Sequence, residues 1–282
     1  MIFNILAFSC PLILCSIGAL FSEYAGALAL FLEGMISFSA FLNYAFTVGT
    51  HSAFLGFLLS SIVSTALIVL FSLIIEKFKA NKFIAGIALN LLFSSLPSCL
   101  SALIFGNRGV FTITCYKRNS IPFIYKFDYV FNLLQVRIFS VVFTVFAVVL
   151  AFLFLYKTRN GLYLRITGSD ANVLLSNGVS PLLMRTIGWG TAALYSSFAG
   201  CLLSMRLSSF VPNISSGRGW MALAAVFVGQ KKLWKILVCM IIFCCADFFS
   251  ANIQNIMPNI PSSVLLAFPY LIVLCLVFSN RV

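Results

Sequence analysis

Glu33 stands in the run ALALFLEGMISFSAFL with no cation within a helical turn of it. An ionised carboxylate at the centre of a bilayer costs about 2.5–3.5 kcal/mol or more, and a cost of that size needs a compensating role. Gly34 follows Glu33 directly and Gly26 precedes the run. This predicts a broken helix, with Glu33 near the start of a half-helix whose free amides face a cavity. A group so placed can line the path of a substrate; the structural alternative is a protonated glutamate hydrogen-bonded across helices. Asp247, in FCCADFFSANIQN, is the second acidic candidate. Its neighbours Asn252, Gln254 and Asn255 place it near a span end, where a pathway group and a solvated carboxylate are equally at home. Asn90 lies inside another apolar run, where an amide must find partners on a neighbouring helix or on a substrate. Gly86, four residues earlier, permits a close approach. Glu23, in SEYAG, reads as an interfacial residue, and His51 as an exposed loop residue.

Catalytic chemistry finds no footing. His51 is the one histidine, so a Ser-His triad has no base, and the chain carries no HExxH, P-loop or Rossmann fingerprint. The nine cysteines, from Cys10 to Cys275, show no metal-ligand spacing, and all but Cys115 sit in apolar runs as small hydrophobes. No cofactor or metal is expected. The chain has no means to hydrolyse ATP, so any pump energy must come from a separate subunit.

One stretch reads differently from the rest: KTRNGLYLRITGSDANVLLSNGVSPLLMR, residues 157–185, is polar and punctuated by glycine. Gly161 and Gly168 are expected to loosen the chain. Ser169 or Asp170 can cap a short helix through Leu175, Gly178 can supply its left-handed exit, and Pro181 redirects the chain. Val173, Leu174 and Leu175 would offer an apolar face to a partner's groove. This is the expected docking surface.

The elements that must position these groups follow from hydropathy. With 62% hydrophobic and 9% charged residues, the apolar runs reach the roughly 20 residues that span about 30 Å of hydrocarbon. The runs are continuous, without the alternation of an outer-membrane barrel, so the spans are helices. Candidate spans fall at 3–21, 27–48, 53–75, 83–105, 137–156, 186–205, 219–230, 236–251 and 262–279. The expected fold is an all-α polytopic integral membrane protein of about nine crossings, with broken or half helices near 27–48 and 219–230. The first run reads as a retained span, not a removed signal.

Eleven basic residues fall on one side if the N-terminus is outside: Lys77, Lys79, Lys82, Lys157, Arg159, Arg165, Arg185, Lys231, Lys232, Lys235 and Arg281. That side is expected to be cytoplasmic, and 106–136 is expected to be an extracytoplasmic loop. The net charge of +12 calls for no nucleic acid, since anchoring beside anionic lipid accounts for it.

Five blocks in order, FSEYAGALALFLEGM (21–35), FKANKFIAGIALNLL (78–92), GLYLRITGSDANVLLSNGV (161–179), SSGRGWMALAAVFVG (215–229) and AFPYLIVL (267–274), carry a resemblance that covers most of the chain. It resembles a permease subunit of the ABC importers of the branched-chain amino acid, ribose and nucleoside superfamily, in the simple-sugar and purine nucleoside branch. The resemblance implies a single transmembrane permease domain over 1–282 and a cytoplasmic coupling loop at 157–185, in the bacterial cytoplasmic (inner) membrane. It implies a substrate path along Glu33 and Gly34, with the Gly-Arg-Gly block beside Arg218 and Trp220 opening a broken helix near the site; Asn90 and Asp247 join the path candidates from their own settings. It also implies ATPase coupling through Gly168, Asp170, Asn172, Leu174, Asn177 and Gly178. The implied partners are a second permease subunit, ATP-binding subunits, an extracytoplasmic substrate-binding protein and a small-molecule substrate.

Departures from the family pattern lie at Ala29 and Phe31, at Ala171 where proline is common, and at Gln230–Trp234 in place of an Arg-Trp-Asn-Pro turn. Nucleosides, simple sugars and branched-chain amino acids all remain open as substrates, and an ion-coupled secondary transporter and a membrane scaffold are the rival classes. Trp220, Phe31, Phe38, Phe41 and Tyr44 can stack a base, yet 31 phenylalanines make aromatic content uninformative by itself.

Overall fold

The computed structural model describes residues 2–106, 109–112, 133–256, 267, 269–272 and 274–275. Its helices are α1 (Ile2–Tyr24), α2 (Leu32–Thr50), α3 (Ala53–Lys77), α4 (Lys82–Phe105), α5 (Leu133–Lys157), α6 (Arg159–Ser169), α7 (Ala171–Ser176), α8 (Pro181–Leu207), α9 (Arg218–Val228) and α10 (Leu233–Ile256). Two short strands, β1 (Phe111–Thr112) and β2 (Ser209–Phe210), pair antiparallel beyond the end of α8. The all-α membrane fold is the one expected. Most of the span at 262–279, most of the 106–136 loop, and the side chains of Asn252, Gln254 and Asn255 lie outside the described residues.

Local sequence starts and stops the long helices. Ser52 Oγ accepts from Leu55 N and begins α3, and Asn81 Oδ1 accepts from Phe83 N at 3.0 Å and begins α4. Gly106, at φ +70°, ends α4, and Pro181 opens α8 where its missing N–H costs nothing.

Among the described residues, five helices are long and apolar enough to cross a membrane: Leu6–Tyr24, Ala53–Lys77, Lys82–Phe105, Val136–Lys157 and Leu233–Ser250. α2 and α8 are also long, and more than half of their residues are buried in the bundle. α8 packs on α1, α2 and α3, and its small residues set the spacing. A Cβ on Gly200 would run into the carbonyl of Ile36. Hydroxyls and one amide bridge these helices: Ser197 Oγ donates to Ser64 Oγ at 2.9 Å, and Asn43 Nδ2 to Ser204 Oγ at 2.5 Å. Polar contacts of this sort are worth about 1 kcal/mol each in a membrane and fix register.

The helices alternate between two ends of the bundle. One end gathers the close of α1 and α3, the start of α4 and α8, the α6–α7 segment and the α9–α10 turn. Lys231 pairs with Glu23 there at 2.9 Å, and Glu76 pairs with Lys82 at 2.7 Å and with Arg185 at 4.0 Å. This is the basic end.

Two passages are broken. Residues 25–31 leave α1 through Gly26, at φ +67°, and enter the bundle without helical structure; the indole N–H of Trp189 donates to the carbonyl of Ala27 at 2.7 Å. The expected break near 27–48 therefore lies before α2, which begins at Leu32. α9 is only eleven residues long, about 16 Å, and it runs from the interior to the basic end.

Candidate functional site

The two interrupted helices begin against each other. Neither supplies its own cap: the residue before α2 is Phe31, the residue before α9 is Gly217, and no side-chain cap bond arises from either. Each start leaves backbone N–H groups that need acceptors. Glu33 supplies them to α9, its Oε1 accepting from Gly217 N at 2.6 Å and its Oε2 from Gly219 N at 2.7 Å. Asn90 of α4 does the same for α2, its Oδ1 accepting from Gly34 N at 2.7 Å.

Glycine is required for this fit. A Cβ on Gly219 would lie 2.6 Å from Glu33 N, and one on Gly34 would enter the backbone carbonyl of Asn90. The positive ends of two helix dipoles thus converge on one carboxylate, which offsets the cost of holding it inside the bundle.

Polar groups extend from this junction. Ser37 Oγ donates to Ser215 Oγ at 2.8 Å, joining α2 to the chain ahead of α9. Arg218 turns back to the carbonyl of Ile214 at 3.1 Å, and its Nη2 stands 3.9 Å from Asp247 Oδ2 on α10. Its guanidinium also lies 5.6 Å from the centre of the Phe8 ring. Tyr270 donates from its hydroxyl to the Ser216 carbonyl at 3.3 Å.

Of the residues singled out from the sequence for the path, Glu33, Gly34, Asn90, Arg218 and Asp247 are brought together. Trp220 is not among these contacts and stands 45% exposed on α9. His51 lies at the opposite end of α2, as its left-handed C-terminal residue. Of the α2 amides expected to face a cavity, that of Gly34 is instead bonded, to Asn90. Gly217 and Gly219, the donors to Glu33, belong to the Gly-Arg-Gly block expected to open a broken helix, but the sequence does not show that Glu33 is their acceptor. Their signal was the pair of glycines flanking Arg218 just ahead of an apolar run.

The polar segment folds more than expected. Gly161 and Gly168 sit inside α6, which Thr158 caps by accepting from Gly161 N at 3.1 Å. They allow close packing and do not loosen the chain: a Cβ on Gly161 would meet the Phe154 carbonyl, and one on Gly168 the Tyr24 carbonyl. Asp170 Oδ1 accepts from Asn172 N at 2.9 Å and caps α7. Asn177 Nδ2 donates back to the Val173 carbonyl, and Gly178 leaves at φ +72°. Val173 and Leu175 are 44% and 61% exposed, whereas Leu174 is 1% exposed. Leu174 therefore fastens α7 to the bundle and is no part of an outward face. One turn and a half of helix cannot point three consecutive side chains the same way.

A family model described as "Branched-chain amino acid transport system / permease component" matches residues 1–277. The chain belongs to that family of transport permeases. It is similar to the putative glucose ABC transporter permease protein TsgC13 of Haloferax volcanii, 28% identical over 260 residues, which cover 89% of this chain and 78% of that one. It is also similar to the guanosine ABC transporter permease protein NupQ of Bacillus subtilis, 27% identical over 280 residues, covering 95% and 87% of the two chains. The nucleoside ABC transporter permease protein NupC of Lactococcus lactis subsp. cremoris is 26% identical over 287 residues, again covering 95% and 87%. No solved structure matches the chain. In this permease the glycine-flanked Arg218 block and the Glu33 block, far apart in sequence, meet as the starts of two half-helices.

Proposed function

We propose that this permease forms the membrane path of an ATP-driven importer of nucleosides or simple sugars in the cytoplasmic membrane. A separate ATP-binding subunit would supply the energy, a second permease subunit would complete the path, and an extracytoplasmic binding protein would deliver the substrate. The relatives named for guanosine, nucleoside and glucose transport support the substrate class.

The observation that carries the choice among substrates is that both helix starts are already filled, α9 by Glu33 and α2 by Asn90. A branched-chain amino acid presents a carboxylate, for which an open helix N-terminus is the natural partner. Here the chain's own carboxylate fills that place, and Arg218 is turned towards Asp247. What remains at the junction suits an uncharged ligand rich in hydroxyl or N–H donors, which can share the free lone pairs of Glu33. The same pairing weighs against an ion-coupled transporter, which needs an intramembrane acid free to titrate.

On this reading the α6–α7 segment, with Asp170, Asn172, Asn177 and Gly178 exposed at the basic end, meets the ATP-binding subunit in the cytoplasm. The test is uptake into vesicles bearing the complete transporter, offered labelled nucleosides, simple sugars and branched-chain amino acids with and without ATP. ATP-dependent uptake of a nucleoside or sugar is expected. Uptake of branched-chain amino acids alone would overturn the substrate class, and uptake indifferent to ATP would overturn the importer.

A further inference from the structure

We propose that Glu23, Tyr24 and Lys231 are positioning residues that tie both half-helices to α6, so that one movement of the α6–α7 segment shifts the two sides of the Glu33 junction together. The proposal rests on the reading that this segment meets the ATP-binding subunit.

The tie is visible in the contacts around the end of α1. Gly168, in the last turn of α6, lies against the backbone of Tyr24, and its own Cα would be 3.1 Å from a Cβ placed on Gly26. With no side chains between them, the two backbones are in direct contact, and a shift of α6 cannot be absorbed by rotamer changes.

From Tyr24 the structure divides. Along the chain, Gly26 N donates to the Glu23 carbonyl and Ala27 N to the Ser22 carbonyl, both at 3.1 Å, and Ala29 N donates to Ser22 Oγ at 3.2 Å. These bonds fold residues 25–29 back on the last turn of α1, so that α2 and Glu33 follow wherever that turn goes. Across the bundle, the Tyr24 hydroxyl donates to the Lys231 carbonyl at 2.5 Å, and Lys231 Nζ pairs with Glu23 Oε1 at 2.9 Å. Lys231 N in turn donates to the Val226 carbonyl, and Gly229 N to the Ala225 carbonyl at 2.8 Å, which fixes the turn to the last residues of α9. Each half-helix therefore has one end at the junction and a bonded route from it to Tyr24. The carboxylate of Glu23 is the partner of Lys231 and takes no part at the junction, which separates the roles of Glu23 and Glu33.

The variants are Tyr24→Phe, which removes only the hydroxyl, and Lys231→Gln, which removes the charge but leaves the carbonyl. A reversed pair, Glu23→Lys with Lys231→Glu, supplies the rescue. Each is assembled with its ATP-binding and substrate-binding partners in vesicles, and substrate moved per ATP hydrolysed is measured beside the co-purified amount of ATP-binding subunit. Both single variants are expected to assemble at the parent level and hydrolyse ATP, with substrate moved per ATP down about fivefold, the size of one lost coupling contact. The reversed pair is expected to recover most of that loss.

An unchanged ratio in both single variants would overturn the proposal. Loss of assembly in Tyr24→Phe would also overturn it, since the role would then be structural. Gly178→Val in the same assay separates the premise. If Gly178→Val uncouples while the Tyr24 and Lys231 variants do not, the tie is wrong and the docking segment stands. If Gly178→Val leaves coupling intact, the docking segment itself is wrong.

Discussion

Replacing Glu33 tests how the bundle keeps two helix ends inside it. The carboxylate takes one amide on each oxygen, from Gly217 N at 2.6 Å and Gly219 N at 2.7 Å. Hydrogen bonds to a charged group contribute about 1.5–3 kcal/mol apiece, so Glu33→Ala forfeits about 3–6 kcal/mol while those amides stay dry. Glu33→Gln keeps the shape and one acceptor but turns an NH2 group towards the other amide, which halves the loss to about 1.5–3 kcal/mol. Glu33→Asp keeps the charge on a side chain one methylene shorter and holds one amide well instead of two.

The loss falls on the angle between α2 and α9 more than on insertion, because helix–helix packing elsewhere is untouched. The assay pairs thermal unfolding of the purified transporter with initial rates of ATP-driven uptake. The expected order in both is parent, Gln, Ala, with the alanine variant assembled but its uptake reduced more than about tenfold, the factor that 1.4 kcal/mol represents. An alanine variant with the parent's midpoint and uptake would refute the cap and the pathway role together.

Two further outcomes concern the polar segment. Gly178 leaves α7 at φ +72° with open space where a Cβ would stand, so Gly178→Val meets no clash and only backbone strain of about 1 kcal/mol or more. It should leave folding intact while lowering co-purification of the ATP-binding subunit and abolishing substrate-stimulated ATP hydrolysis, both read in one pull-down and ATPase assay. Asn172 is exposed one residue into α7, so Asn172→Cys in a background stripped of the nine native cysteines should react with an impermeant thiol reagent only from the cytoplasmic side. Labelling of intact cells from outside would reverse the assignment of the basic end.

The residue pattern alone was enough to set the class of this protein. Long continuous apolar runs force helices because lipid offers the backbone no other partner, and Lys77, Lys82, Arg185 and Lys231 mark a shared end because basic residues collect on one side of a membrane. Local chemistry was equally legible where the cap and the capped amides are neighbours: Asp170 opens α7 two residues from the N–H it accepts, and Gly178 ends it at a φ that favours glycine.

The contacts that cross the bundle depended instead on the three-dimensional path of the chain. The acceptors for the amides of α9 stand 184 and 186 residues away on Glu33, and the acceptor for Gly34 stands 56 residues away on Asn90. Hydropathy carries no information about which helix a buried polar group will meet, so the sequence showed that Glu33 and Asn90 needed partners without showing which. The burial of Leu174 and the close contact of Gly168 with Tyr24 are of the same kind. Each depends on the path of a second element, and that path is set by how the helices share one interior.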